Sequence, residues 1–85
     1  MNDTTDNGST IAITDVYASA YVLAHDVPLL RVEPGRYPGQ IAFIFDAVSA
    51  RPLVDSFYAG GGVSGQRFTA AIRRLKHLIH SGGGR

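Results

Sequence analysis

The chain has 85 residues, eight basic and seven acidic side chains, a formal net charge of +1 and no cysteine. The missing cysteines exclude disulfides and thiolate metal sites and make a reducing cytoplasm the expected location. No apolar run approaches the roughly 20 residues of a bilayer span, and the polar, acidic start "MNDTTDNGST" lacks the basic and apolar regions of a signal peptide, so no membrane contact is expected.

Residues 1–9 are rich in Asn, Asp, Thr, Gly and Ser. They have little apolar surface to offset ordering entropy and are predicted to be a flexible tail. A single domain is predicted over 10–81, with a second short tail over 82–85. "TIAI" at 10–13 reads either as a short edge strand or as an extended lead-in to a helix. Thr14 is the expected helix cap and Asp15 suits the positive end of the helix dipole. Tyr17, Ala20, Tyr21 and Ala24 then mark the inner face of a helix over about 15–25. Pro28 disfavours helical geometry at Val27 and stops it.

"LLRVE" at 29–33 alternates, with Leu30 and Val32 on one side and Arg31 and Glu33 on the other. "QIAFIFD" at 40–46 puts Ile41, Phe43 and Phe45 on one face and Ala42 and Ile44 on the opposite face. The intervening "PGRYPG" is turn material, so the two runs are predicted to pair as an antiparallel hairpin. Ser49 is the expected cap of the next helix, with Pro52 tolerated in its first turn. Leu53, Val54, Phe57 and Tyr58 form the apolar stripe of that helix, and Gly60 is its left-handed stop. A last helix is predicted from about Ser64, with Phe68, Ala71, Ile72, Leu75, Leu78 and Ile79 inward. The expected fold is α+β. An antiparallel hairpin, with or without a short third edge strand, packs against two or three helices in the order α-β-β-α-α.

The segments "TDVYASAYVLAHD", "FIFD", "FY" and "RFTAAIRRLKHLI" resemble a family of small bacterial domains of unknown function. The shared pattern is a Thr-Asp-x-Tyr helix start, a Phe-x-Phe-acid strand, an aromatic helix end and a final Phe-x-x-Ala-Ile-Arg-x-Leu-Lys helix. It falls here on Thr14, Asp15, Tyr17, Phe43, Phe45, Asp46, Phe57, Tyr58, Phe68, Ala71, Ile72, Arg73, Leu75 and Lys76, and spans about residues 13–80. The resemblance implies the same α-β-β-α-α order and no catalytic role. The triple glycine and the long hairpin loop depart from the pattern.

Gly60-x-Gly62-x-x-Gly65 has the spacing of a dinucleotide fingerprint. That use requires a second parallel strand and an acid about 20 positions further on, and only Ser81–Arg85 follow the last helix. A P-loop would need Lys and Ser/Thr where Gln66 and Arg67 stand. The glycines are therefore expected to be a helix stop and a link, and no cofactor is expected. His77-x-x-His80 lacks a third ligand fixed nearby, so no metal is expected either. The serines lack a nucleophile-elbow context and the acids are scattered, so no catalytic residue and no small-molecule substrate is predicted.

Charge is distributed unevenly. Residues 1–66 hold all seven acids and three bases, whereas residues 67–85 hold five bases and no acid. Arg67, Arg73, Arg74, Lys76 and His77 are the candidate contacts for an anion or nucleic acid. The bland alternative is a basic helix lying beside the acidic part of its own domain. The competing expectation, and the primary one, is a non-enzymatic domain that binds protein partners and self-associates as a homodimer. Tyr37 in the loop, Ala42 and Ile44 on the second face of the hairpin, and the unpaired hairpin edge are its expected contacts.

Overall fold

The computed structural model describes residues 4–6 and 8–82. The elements are β1 (Thr4–Asp6), β2 (Thr10–Ile13), α1 (Val16–Ala24), β3 (Arg31–Pro34), β4 (Ile41–Asp46), α2 (Ala47–Tyr58) and α3 (Gly65–Gly82). They form one antiparallel sheet in the order β1-β2-β4-β3 with three helices. The α+β class and the α-β-β-α-α succession hold, preceded by two strands rather than by one optional strand.

Two corrections concern the ends. Thr4–Asp6, expected within a tail, pairs antiparallel with β2, Thr5 facing Ala12. A backbone ladder satisfies N–H and C=O groups whatever the side chains are, so a polar segment can still close a sheet edge. Gly82, expected to begin the second tail, closes α3. The remaining tail positions, 1–3, 7 and 83–85, lie outside the described residues.

The strand β4 is apolar on both faces because it is central. It pairs with β2 on one side, Ile13 against Phe43, and with β3 on the other, Val32 against Phe43. Both pairings are antiparallel, so β2 and β3 run parallel to each other with β4 between them. The chain reaches β3 from β2 through α1, a split β-α-β unit. Ile11, Ile13, Phe43 and Phe45 project from one face into the core with Ala18, Ala20, Val22, Ala50, Val54 and Leu75.

Helix α1 is the hub. It packs against α3, α2 and β2, and Ala18 to Val22 are all buried. A helix enclosed on several sides loses the one-sided pattern of a surface helix. Its small alanines allow the close approach that this position requires. The buried Ser19 hydroxyl donates to the Ile13 carbonyl at 3.5 Å. Tyr17, expected inward, is exposed and stacks on Phe68 with ring centroids 6.5 Å apart.

The caps also differ from expectation. Asp15, not Thr14, caps α1, its carboxylate accepting from the Tyr17 and Ala18 N–H groups at 2.8 and 3.2 Å. Asp46, not Ser49, caps α2 and accepts from the Ser49 N–H at 3.1 Å. A carboxylate outcompetes a hydroxyl here because it accepts as a full charge at the positive end of the helix. Since α2 starts at Ala47, Pro52 stands in its second turn, where the missing N–H would have donated to the Val48 carbonyl.

Candidate interaction surfaces

The basic helix α3 presents fewer cations than its sequence suggests. Arg67 reaches along the surface toward the end of α1. Its guanidinium donates to the Ala24 carbonyl at 3.2 Å and pairs with Asp26 at 3.0 Å. Ala24 ends α1, and Asp26, with a φ of 69°, is the left-handed residue just beyond its cap. Arg67 thereby ties the first turn of α3 to the last turn of α1. It covers a carbonyl that the helix itself leaves unpaired, so this candidate ligand contact is also engaged within the chain. Arg73, Arg74 and Lys76 are exposed and form no ion pair among the described residues, and His77 is exposed beside them.

The glycine segment is a helix terminator. The Gly60 N–H donates to the Phe57 carbonyl at 3.1 Å and the Gly61 N–H to the Ser56 carbonyl at 2.7 Å. With Gly60 at a φ of 89°, this is a Schellman motif. Two of the N–H groups that a phosphate would need are thus spent inside the chain. Gly61 has a further reason to lack a side chain. A Cβ there would lie 2.5 Å from the Tyr21 hydroxyl and 2.9 Å from the Ser56 carbonyl oxygen. The Tyr21 and Ser56 hydroxyls bond to each other at 2.9 Å, joining α1 to α2 under the glycine turn. Tyr58 reaches back across the same end of the fold and donates to the Asp15 carboxylate at 3.2 Å.

The histidines do not assemble a metal centre. Among the described residues no three His, Asp or Glu side chains are grouped to hold an ion. His25 packs its ring on Tyr21 with centroids 4.6 Å apart, and Asp46 is engaged as a cap. No helix of the described residues is long and apolar enough to cross a membrane.

The expected protein contacts separate into two groups. Ala42 and Ile44 are only 5% and 2% exposed within the single chain. As part of a central strand they are flanked on their own face by Ala12, Arg31 and Glu33, so neither is an open contact. Tyr37, by contrast, is 62% exposed. Its loop is held in shape from within. The Gln40 side-chain carbonyl accepts from the Arg36 N–H at 2.8 Å and the Tyr37 N–H at 3.4 Å. The Gly35 N–H donates to the Gln40 carbonyl at 2.7 Å.

The open edge is the outer side of β3, which has no further strand among the described residues. Leu30 and Val32 are 50% and 38% exposed there, because α1 and α2 cover β2 and β4 and leave β3 out. Arg31 and Glu33 pair with each other on the opposite face of the strand. The sequence offers an unpaired hairpin edge as contact surface and sets out this alternation, without assigning Leu30 and Val32 to that edge. The available signal was the shortness of the strand beside a fully apolar neighbour, which makes β3 the outer member of the hairpin.

The chain matches no protein-family model, no curated protein and no solved structure.

Proposed function

We propose that the chain is a small interaction domain that acts by contact rather than catalysis, docking a protein partner on the edge of β3 and the loop after it. The observation that carries this is the exposure of Leu30 and Val32 on a strand with one side open. An edge strand offers a partner unpaired backbone groups together with alternate side chains. Tyr37, fixed beside that edge by Gln40, adds an aromatic surface of the kind enriched in interfaces. A photo-crosslinking residue at position 32 or 37 is expected to capture protein well above one placed at the exposed Gln66. Equal capture at all three positions refutes the docking edge.

A second function is supported by a separate observation. Arg73, Arg74 and Lys76 are exposed on a helix that carries no acid. With Arg67 committed to α1, about three phosphates is the most this row neutralises, which corresponds to a log–log salt slope of about −3 on duplex DNA. Arg73→Glu with Lys76→Glu is expected to abolish any low-salt gel shift on DNA or RNA without changing thermal stability. The absence of a wild-type shift on either nucleic acid removes this function.

A further inference from the structure

We infer that the partner for the β3 edge is a second copy of this chain, paired antiparallel with it about a two-fold axis through Val32. This rests on the docking edge proposed above and names its occupant. The reason lies in the order of side chains along the strand. Residues directly opposite in an antiparallel pair share a face, and a slip of one residue exchanges the faces. With Val32 opposite Val32 of the second copy, Arg31 faces Glu33 and Glu33 faces Arg31. Leu30, just before the strand and with its N–H given to the Ile44 carbonyl of β4, lies opposite Pro34 at each end. The apolar side meets the apolar side, and every charge meets its opposite.

No neighbouring register does this. Centring the pair on Arg31 sets two guanidinium groups face to face, and centring it on Glu33 does the same with two carboxylates. The half-step registers put Val32 on a face with Arg31 or with Glu33. In the single chain Arg31 and Glu33 satisfy each other across two residues of the same strand. In the pair each gains a second partner from the other copy. An edge protected only against association would carry charges of one sign, since these repel a second copy in any register.

The geometry also limits the assembly. Pro34 has no N–H to donate and the Leu30 N–H opposite it is spent on the Ile44 carbonyl, so the ladder is confined to the residues around Val32. A two-fold contact uses both β3 edges and leaves none open for further addition there. In this register the loop over 35–40 of each copy passes the Pro28–Leu29 end of the other, which brings Tyr37 to the rim of the contact. The paired stretch is short beside interfaces of standard size, so the dimer forms in the micromolar-to-millimolar range.

The test is sedimentation equilibrium from about 10 µM to about 2 mM, spanning that range, on the wild type and three charge variants, with circular dichroism to confirm each fold. Wild type is expected to pass from monomer to dimer. Arg31→Glu and Glu33→Arg each turn two attractive facing pairs repulsive, and each is expected to weaken dimerisation about tenfold or more. The double variant Arg31→Glu/Glu33→Arg restores opposite charges and is expected to recover wild-type dimerisation, and the two single variants mixed are expected to pair with each other. A photo-crosslinker at position 32 of the otherwise wild-type chain is expected to join two copies at that residue, which decides the matter should a single variant fail to fold. A monomeric mass throughout overturns the inference, as does a dimer indifferent to the single reversals. If residue 32 captures a different protein while the wild type stays monomeric, self-pairing falls and the docking edge stands. If it captures nothing, both fall.

Discussion

Removing the Arg67 guanidinium separates its structural role from a ligand role. Arg67→Ala deletes the pair with Asp26, whose side chains are 59% and 77% exposed. Exposed ion pairs contribute about 0.2–1 kcal/mol. It also deletes the charged donor to the Ala24 carbonyl at the negative end of α1, a contribution of about 0.3–1 kcal/mol. The expected loss is therefore about 0.5–2 kcal/mol, which for a domain of this size lowers Tm by roughly 2–16 °C. Asp26→Asn keeps a side chain that tolerates the left-handed backbone and removes only the ion pair, so it should cost less than Arg67→Ala. Urea unfolding of wild type, both single variants and the double variant gives the coupling directly. That coupling should shrink between about 0.1 M and 1 M salt as the screening length falls from about 10 Å to about 3 Å. An unchanged midpoint for Arg67→Ala refutes the docking role and returns the guanidinium to the exposed cations of α3.

Three further outcomes are expected. Asp15→Ala removes the cap of α1 and the acceptor for Tyr58, and should lower stability by about 1–2 kcal/mol in chemical denaturation, with Tyr58→Phe costing less. Gly61→Ala forces a methyl against the Tyr21–Ser56 pair and should cost about 1–3 kcal/mol. Gly62→Ala, with no atom within 4 Å of its Cβ, should be neutral by the same melting curve, and equal effects at the two positions would contradict the packing described. Pro52→Ala restores the N–H for the Val48 carbonyl in the second turn of α2 and should raise stability by about 1–2 kcal/mol, less than the full cost of an interior proline because the freer unfolded chain offsets part of it.

Elements were legible in the sequence where periodicity is strong, and their neighbours were not. The alternation in "QIAFIFD" identifies a strand, and its two apolar faces suggest that something must cover the second one. A second copy is one cover. In the single chain Ala42 and Ile44 are already buried, with Ala12, Arg31 and Glu33 beside them on the same face. Strand order depends on contacts remote in sequence, which local pattern does not carry. The same holds for Arg67. Its place in a row of cations is local information, while its partner lies 41 residues away. The caps show a finer limit. Thr14 and Asp15, or Asp46 and Ser49, are both chemically able to cap, and a shift of one to three residues in the helix start decides between them. Gly60 was legible as a left-handed stop because only its own backbone conformation was in question.

The two candidate surfaces sit on elements that barely communicate. Helix α3 packs chiefly on α1, whereas β3 pairs with β4. Sites that share no partner add independently, so charge reversal at Arg31 or Glu33 should change mass and leave nucleic-acid affinity of each chain alone. Reversal at Arg73 and Lys76 should do the opposite. The surfaces become linked only through assembly. A β3-paired dimer carries two rows of Arg73, Arg74 and Lys76 on one body, and two rows held together bind a long polyanion more tightly than either alone if both reach it. Breaking the dimer with Arg31→Glu would then weaken binding to a long duplex while sparing binding to one too short to span both rows. Equal weakening on both lengths would place Arg31 itself in the contact, and no weakening on either would show that the two surfaces serve separate ends.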